Sequence, residues 1–191
     1  MLAAAGARVT SFDLSDAQLR RDRAVAEREG LALRCVQGDM RDLSVFADAS
    51  FDLVFNATSI VFVPDPVPVW RECHRVLKPR GVLLAGFMNP AYYLFDHEAA
   101  QREQRLVVTH RLPYREPDDL APSAKLAWEQ RGHAAEFGHT LEALIGTQLA
   151  AGFVLTALYE DSWNDAATPL NRYMQVNFAT RAEKRAVPDQ A

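Results

Sequence analysis

Two acids, Asp13 and Asp39, each close a short apolar run rich in strand-forming residues, one strand–helix unit apart. In open α/β sheets ligands bind at the carboxyl ends of strands. A carboxylate at that place can accept hydrogen bonds from both hydroxyls of a ribose. Asp13 ends the run Arg8–Leu14, and it also stands where it can help Ser15 cap the next helix. Asp39 sits in Gln37-Gly-Asp-Met40. There it can accept from the exocyclic amine of adenine, with Met40 along a purine face, or it can close an Asx-turn. Either acid alone leaves both readings open, whereas the pair, repeated in successive units, points to a nucleoside.

The elements that must carry these acids alternate between strand and helix signals, which predicts an α/β protein with a mostly parallel sheet. Leu2–Gly6 reads as the last turn of a helix and Arg8–Leu14 as a strand. A helix from Ser15 to about Glu29 is stopped by Gly30, and Leu31–Val36 is a second strand. Phe51–Phe55, apolar except for Asp52, has the composition of a strand buried on both faces. Asp65-Pro66 opens a helix striped with Val69, Cys73, Val76 and Leu77, Lys78-Pro-Arg-Gly81 closes it, and Val82–Phe87 is the fourth strand. Residues 88–139 break the rhythm, and so long an irregular stretch reads as a functional lid inserted in a single domain spanning 1–191. Thr140 then caps a helix with Leu141, Leu144, Ile145 and Leu149 on one face. Phe153–Tyr159 and Tyr173–Thr180 form a strand pair, and the tail from Arg181 is expected to fray.

Ser11-Phe-Asp-Leu-Ser15, Gln37-Gly-Asp-Met40, Phe51-Asp-Leu-Val54 and Arg71-Glu-Cys-His-Arg-Val-Leu-Lys-Pro-Arg-Gly81, in that order, resemble the motif set of class I S-adenosylmethionine methyltransferases. The branch most resembled comprises small-molecule enzymes related to those that methylate ubiquinone and menaquinone precursors. Gly138-His-Thr-Leu-Glu142 through Ala151-Gly-Phe153 resembles the terminal helix and strand of that group. The resemblance implies a Rossmann-like fold whose C-terminal strand is antiparallel, S-adenosyl-L-methionine as cofactor, and methyl transfer to a small molecule. It assigns Asp13 to the ribose, Leu14 to the adenine face, Asp39 to the adenine amine, Met40 to its ring, and Asn56 to the methionine moiety. Phe62 and Ile60 would wall the same cavity, unless they are ordinary core. Tyr92, Tyr93, Phe95 and Trp128 are candidates for an apolar substrate wall. Displacement at a sulfonium carbon needs alignment and exclusion of water more than it needs a base. No catalytic residue is therefore singled out, although His97, His110, His133 and His139 lie in or beside the insertion; His74 reads as structural.

The family's first strand, ending in a glycine-rich turn, is expected ahead of Leu2, and the sequence shows none; Gly6 is the only glycine before residue 30. Three readings stay open: a truncated reading of a longer enzyme, a degenerate non-catalytic binding protein, or a strand supplied by another chain. A nicotinamide-dependent oxidoreductase would share Asp13 but not Gln37-Gly-Asp39 or the turn at 78–81. A net charge of −4 and scattered basic residues argue against nucleic acid and anionic membrane as partners. Cys35 and Cys73 lack metal-ligand spacing, so no metal is expected, and they fit a reducing, cytoplasmic location.

Overall fold

The computed structural model describes residues 1–120, 125, 126, 128, 130, 134–164 and 167–186, and the chain divides into two compact units, residues 1–47 and 48–191. In the first, β1 (Val9–Asp13) and β2 (Leu33–Gln37) are parallel, with Val9 opposite Leu33 and Asp13 opposite Gln37. Between them runs α1 (Asp16–Arg28). The helix begins where the Gln18 N–H donates to Ser15 Oγ at 3.4 Å, and it buries Leu19 and Ala26. Gly30, at φ +64°, follows its end in the left-handed region that a side chain resists. Phe12 meets Phe46 edge-on, with ring centroids 5.4 Å apart.

In the second unit β3 (Phe51–Ala57) leads through a short 3₁₀ turn (Ser59–Phe62) to α2 (Val67–Val76) and β4 (Leu77–Met88). The stretch after β4 contains a 3₁₀ turn (Pro90–Leu94), α3 (His97–Glu103), β5 (Tyr114–Arg115), α4 (Glu116–Asp119) and β6 (Phe137–Gly138). A π-turn (Glu142–Gly146) continues into α5 (Thr147–Ala150), and β7 (Phe153–Asp161) and β8 (Asn177–Lys184) close the chain. The sheet order is β3-β4-β8-β7; β3 and β4 are parallel, and β8 runs against both of its neighbours. This is the expected mixed α/β sheet with an antiparallel C-terminal strand.

Trp70 of α2 stands edge-on to Phe87, which stacks on Phe178 at 4.8 Å, so one aromatic column ties helix to sheet. Each such side chain, once buried, is worth about 1.5–3 kcal/mol. Lys184 Nζ donates to the carbonyls of His74 and Leu77, satisfying groups at the C-terminus of α2 where a cation is favoured. Cys73 is buried, and burial pushes its thiol up to about 12, as suits an inert apolar filler.

The structure departs from the sequence reading in five places. β3 is not buried on both faces: Leu53 and Phe55 are exposed, because among the described residues the strand's one ladder and its main packing are with β4. The 78–81 turn lies inside β4 as a bulge, with Phe51 opposite Leu77 but Leu53 opposite Val82, and Arg80 at φ +65°. The stripe after Thr140 is broken. Leu144 and Gln148, four residues apart, face inward while Leu141 and Leu149 are exposed, and residues 142–146 form a π-turn. The described part of 88–139 contains short regular pieces, with β5 and β6 paired as a two-residue antiparallel ladder. Arg181 does not begin a frayed tail, since β8 continues to Lys184 with Ala182 fully buried.

Candidate functional site

In the first unit the carboxyl ends of β1 and β2 carry the two acids. Asp13 is half-buried; its Oδ1 accepts the Ser15 N–H at 2.7 Å, and its Oδ2 has no partner among the described residues. Both readings of Asp13 therefore coexist in one side chain: one oxygen caps, and the other is available. Leu14 beside it is 68% exposed, and its carbonyl is held by Gln37 Nε2 at 3.0 Å. A free acceptor next to an exposed apolar surface fits a ribose with a purine attached. Asp39 is engaged. Arg41 grips it through Nε at 3.0 Å to both oxygens, through Nη2, and through its backbone N–H at 2.9 Å to Oδ1. The hydrogen bond from the Arg41 side chain holds the Asp39 carboxyl below the usual carboxylate range. The Asx-turn is thus present, and an adenine amine would have to share or displace Arg41. Met40 is half-buried between them.

In the second unit Asn56, 8% exposed at the end of β3, receives a hydrogen bond from Ser59 Oγ at 3.2 Å on Oδ1. Thr58, at φ +65°, reverses the chain just after it, and its N–H reaches the Gly86 carbonyl at 3.0 Å. The turn so formed lays Ile60 and Val61 into a small recess lined also by Phe87, Met88, Tyr93, Phe137, His139 and Leu144. Ile60 is fully buried, whereas Phe62 is half exposed and stays outside the recess.

The segment after β4 forms the aromatic side of this recess. Tyr93 stacks on Tyr114 at 5.4 Å and packs with Val61 and Met88. Its Oη donates to Glu136 Oε2 at 3.2 Å. Gly138 permits this arrangement, because a Cβ there would lie 2.6 Å from Tyr93 Cγ. Tyr92 packs behind, stacked on His97 at 3.8 Å and edge-on to Trp163 at 5.6 Å. Burial raises both Tyr92 and Tyr93 and holds the phenols neutral. Burial, reinforced by the Glu116 carboxylate, also raises Glu136. His139 Nε2 lies 3.2 Å from the Ile60 carbonyl, which can only accept, so this nitrogen carries the proton; burial disfavours the charged ring. His97 is likewise held toward its neutral form by burial. His110 stands edge-on to Tyr114, and His74 packs on Phe153 as a structural residue. Phe95 bridges to Val108. Trp128 is half-buried, and no ring contact or hydrogen bond links it to the tyrosines among the described residues. His133 lies outside the described residues.

A family model described as "Methyltransferase domain" matches residues 1–85. The chain is 45% identical over 184 residues to the uncharacterized methyltransferase YbaJ of Bacillus subtilis, covering 96% of this chain and 71% of that protein. The chain belongs to the class I S-adenosylmethionine-dependent methyltransferases. It is 35% identical over 104 residues to a ubiquinone biosynthesis O-methyltransferase of Nitrosococcus oceani, covering 53% of this chain and 44% of that one. Among solved structures, an S-adenosylmethionine-dependent methyltransferase of Mesorhizobium loti superimposes with a TM-score of 0.67 at 19% identity, over 93% of this chain and 80% of that one. Another from Methanosarcina mazei gives 0.68 at 18%, over 97% and 86%. At such identities the likeness is one of fold, and it is the Rossmann-like fold expected.

The sequence reading passed over Glu136 and Tyr114, which hydrogen-bond to and stack on Tyr93. Glu136 is a single acid in a polar stretch. Only the pairing of Tyr114 with Gly138 and of Arg115 with Phe137 brings it against Tyr93. The alternation of Tyr114, Glu116, Glu136 and Gly138 about a two-residue ladder is too short to register as a periodic signal.

Proposed function

We propose that this methyltransferase transfers the methyl group of S-adenosylmethionine to a small-molecule acceptor at the recess walled by Ile60, Val61, Met88, Tyr93, Phe137 and His139, which at about 10 Å³ has room for one water and must widen to admit it. The observation that carries this reading is the composition of that wall, apolar and aromatic with a single phenol, which suits a small organic acceptor and not a charged polymer. When bound, the cofactor supplies an electrophilic methyl on a cationic sulfur. In the first unit Asp13 is assigned to the ribose hydroxyls, Leu14 to the purine face, and Asp39 and Met40 to the adenine; in the second, Asn56 is assigned to the methionine portion. Widened around the acceptor, the recess would exclude water, so that proximity does most of the catalytic work. Tyr92 supports this wall from behind; Phe62 and Trp128, at the positions seen, would join it only through movement. A cytoplasmic location, with neither nucleic acid nor membrane as partner, is supported by the net charge of −4 and two free cysteines. No helix among the described residues is long and apolar enough to cross a membrane, and these residues contain no cluster of three or more His, Cys, Asp and Glu that could hold a metal ion.

The test is incubation of the whole protein with S-adenosylmethionine labelled in its methyl carbon and a cell extract separated by size. Label entering the low-mass fraction supports the reading. Label in protein or nucleic acid, or none transferred, overturns it.

A further inference from the structure

β7 is the last strand of the four-stranded sheet, with β8 on one side and, among the described residues, no strand on the other. The backbone groups along that outer side are a template for another strand. Natural edges are often blunted by a central lysine or proline. From Phe153 to Tyr159 this one carries neither, and no charge, while Leu158 and Tyr159 are 57% and 59% exposed.

Charge along this edge is divided by end. The carboxyl end holds two exposed acids, Glu160 and Asp161, and the β8 residues opposite them, Phe178 and Asn177, are neutral. At the amino end Phe153 lies opposite Lys184, Val154 opposite Glu183 and Ala157 opposite Arg181, and the exposed Arg185 follows the end of β8. Three cations against one acid leave this end positive. Arg181 reaches toward the outer strand: its Nη1 donates to Oγ1 of the exposed Thr156 at 2.6 Å as well as to Glu183 Oε1 at 2.5 Å.

We infer that β7 is the contact edge of a twofold homodimer in which two copies of the chain pair their β7 strands antiparallel. Antiparallel order sets the acidic end of each strand against the basic end of the other, and it does so twice. In full overlap Asp161 lies opposite Phe153 of the second copy, next to that copy's Lys184 and Arg185. Leu158 and Tyr159 of both copies then meet near the centre. Parallel order would set acid on acid, which is unfavourable. An isologous contact of this kind closes at two copies. Main-chain hydrogen bonds supply the attachment, and the charged ends fix direction and register. β3, at the other end of the sheet, also exposes Leu53 and Phe55, but its Asp52 already holds Lys78 at 2.7 Å, and no such division of charge names an occupant there.

Sedimentation of the whole protein tests this. Wild type should run at twice its chain mass at micromolar concentration, and added salt should weaken the dimer. Leu158→Lys sets two lysines near each other across the axis, so it should raise the dissociation constant by about tenfold or more. Asp161→Arg and Arg185→Glu should each weaken the dimer several-fold, and the double variant should recover most of that loss. Both of those positions are exposed, so this pair serves if Leu158→Lys does not fold. A monomer throughout the micromolar range overturns the proposal. So does a dimer whose affinity is unchanged in Leu158→Lys and in both single charge variants, which would put the contact on another face.

Discussion

Arg41 closes on Asp39 with its guanidinium and its backbone N–H, so the acid assigned to adenine is already satisfied by its own chain. The pair is partly exposed, and such pairs contribute about 0.2–1 kcal/mol. Arg41→Ala should free the carboxylate and tighten S-adenosylhomocysteine binding by about two- to fivefold. Asp39→Ala should weaken it. Calorimetry decides, and loss of affinity in Arg41→Ala would mean that Arg41 itself contacts the ligand.

Gly138 lies flat against the Tyr93 ring. Gly138→Ala forces a Cβ to within 2.6 Å of Tyr93 Cγ and must move the ring or the ladder. Overpacking of this kind costs about 1–3 kcal/mol. The thermal midpoint should fall and the Tyr93–Glu136 contact should loosen. An unchanged midpoint contradicts the packing described.

Gln148 is fully buried on α5 and accepts from Thr180 Oγ1 at 3.2 Å, while its Nε2 has no partner among the described residues. Removing one partner of a buried pair strands the other, at about 1–3 kcal/mol, whereas removing both is nearly neutral. Denaturant unfolding should therefore show Gln148→Met destabilised and Gln148→Met with Thr180→Val close to wild type. Additive losses would show that the two side chains do not interact.

Burial lowers His74, His97 and His139, so their folded forms resist a proton that the unfolded chain accepts near its usual value of about 6.5. Their contribution to stability is present above that pH and is lost as pH falls below it. Glu136 is raised, which runs the other way: its ionisation disfavours the fold as pH rises above the usual glutamate range. Three histidines against one carboxyl should leave the thermal midpoint lower at pH 5.5 than at 7.5. His139→Gln should shrink that difference, and a difference unaltered by the substitution would remove His139 from the account.

Much of the scaffold was legible because it rests on local rules. Ser15, Gly30 and the β-branched run of β1 mark a strand, a cap and a stop within a few residues, and they place Asp13 at a strand end. The stripe on α2 was legible for the same reason, since Val69, Cys73 and Val76 repeat at helical spacing and all are buried. What was not legible depends on tertiary choices. Nothing in the run after Thr140 announces a π-turn, nor that Gln148 and not Leu149 enters the core. Phe55 reads as interior from its neighbours, but its exposure depends on which elements cover β3. Glu136 meets Tyr93 beside the Tyr114–Gly138 pairing, across a gap in sequence.

The central claim is that Asp13 presents a free carboxylate oxygen to the cofactor's ribose, and calorimetric titration of the whole protein with S-adenosylhomocysteine tests it most directly. Wild type should bind at one site. Asp13→Ala should bind more weakly by about 1.5–3 kcal/mol, because hydrogen bonds to a charged acceptor are lost. The thermal midpoint of the ligand-free protein should hardly change. A wild type that does not bind, or an Asp13→Ala variant that binds with undiminished affinity, would contradict the account.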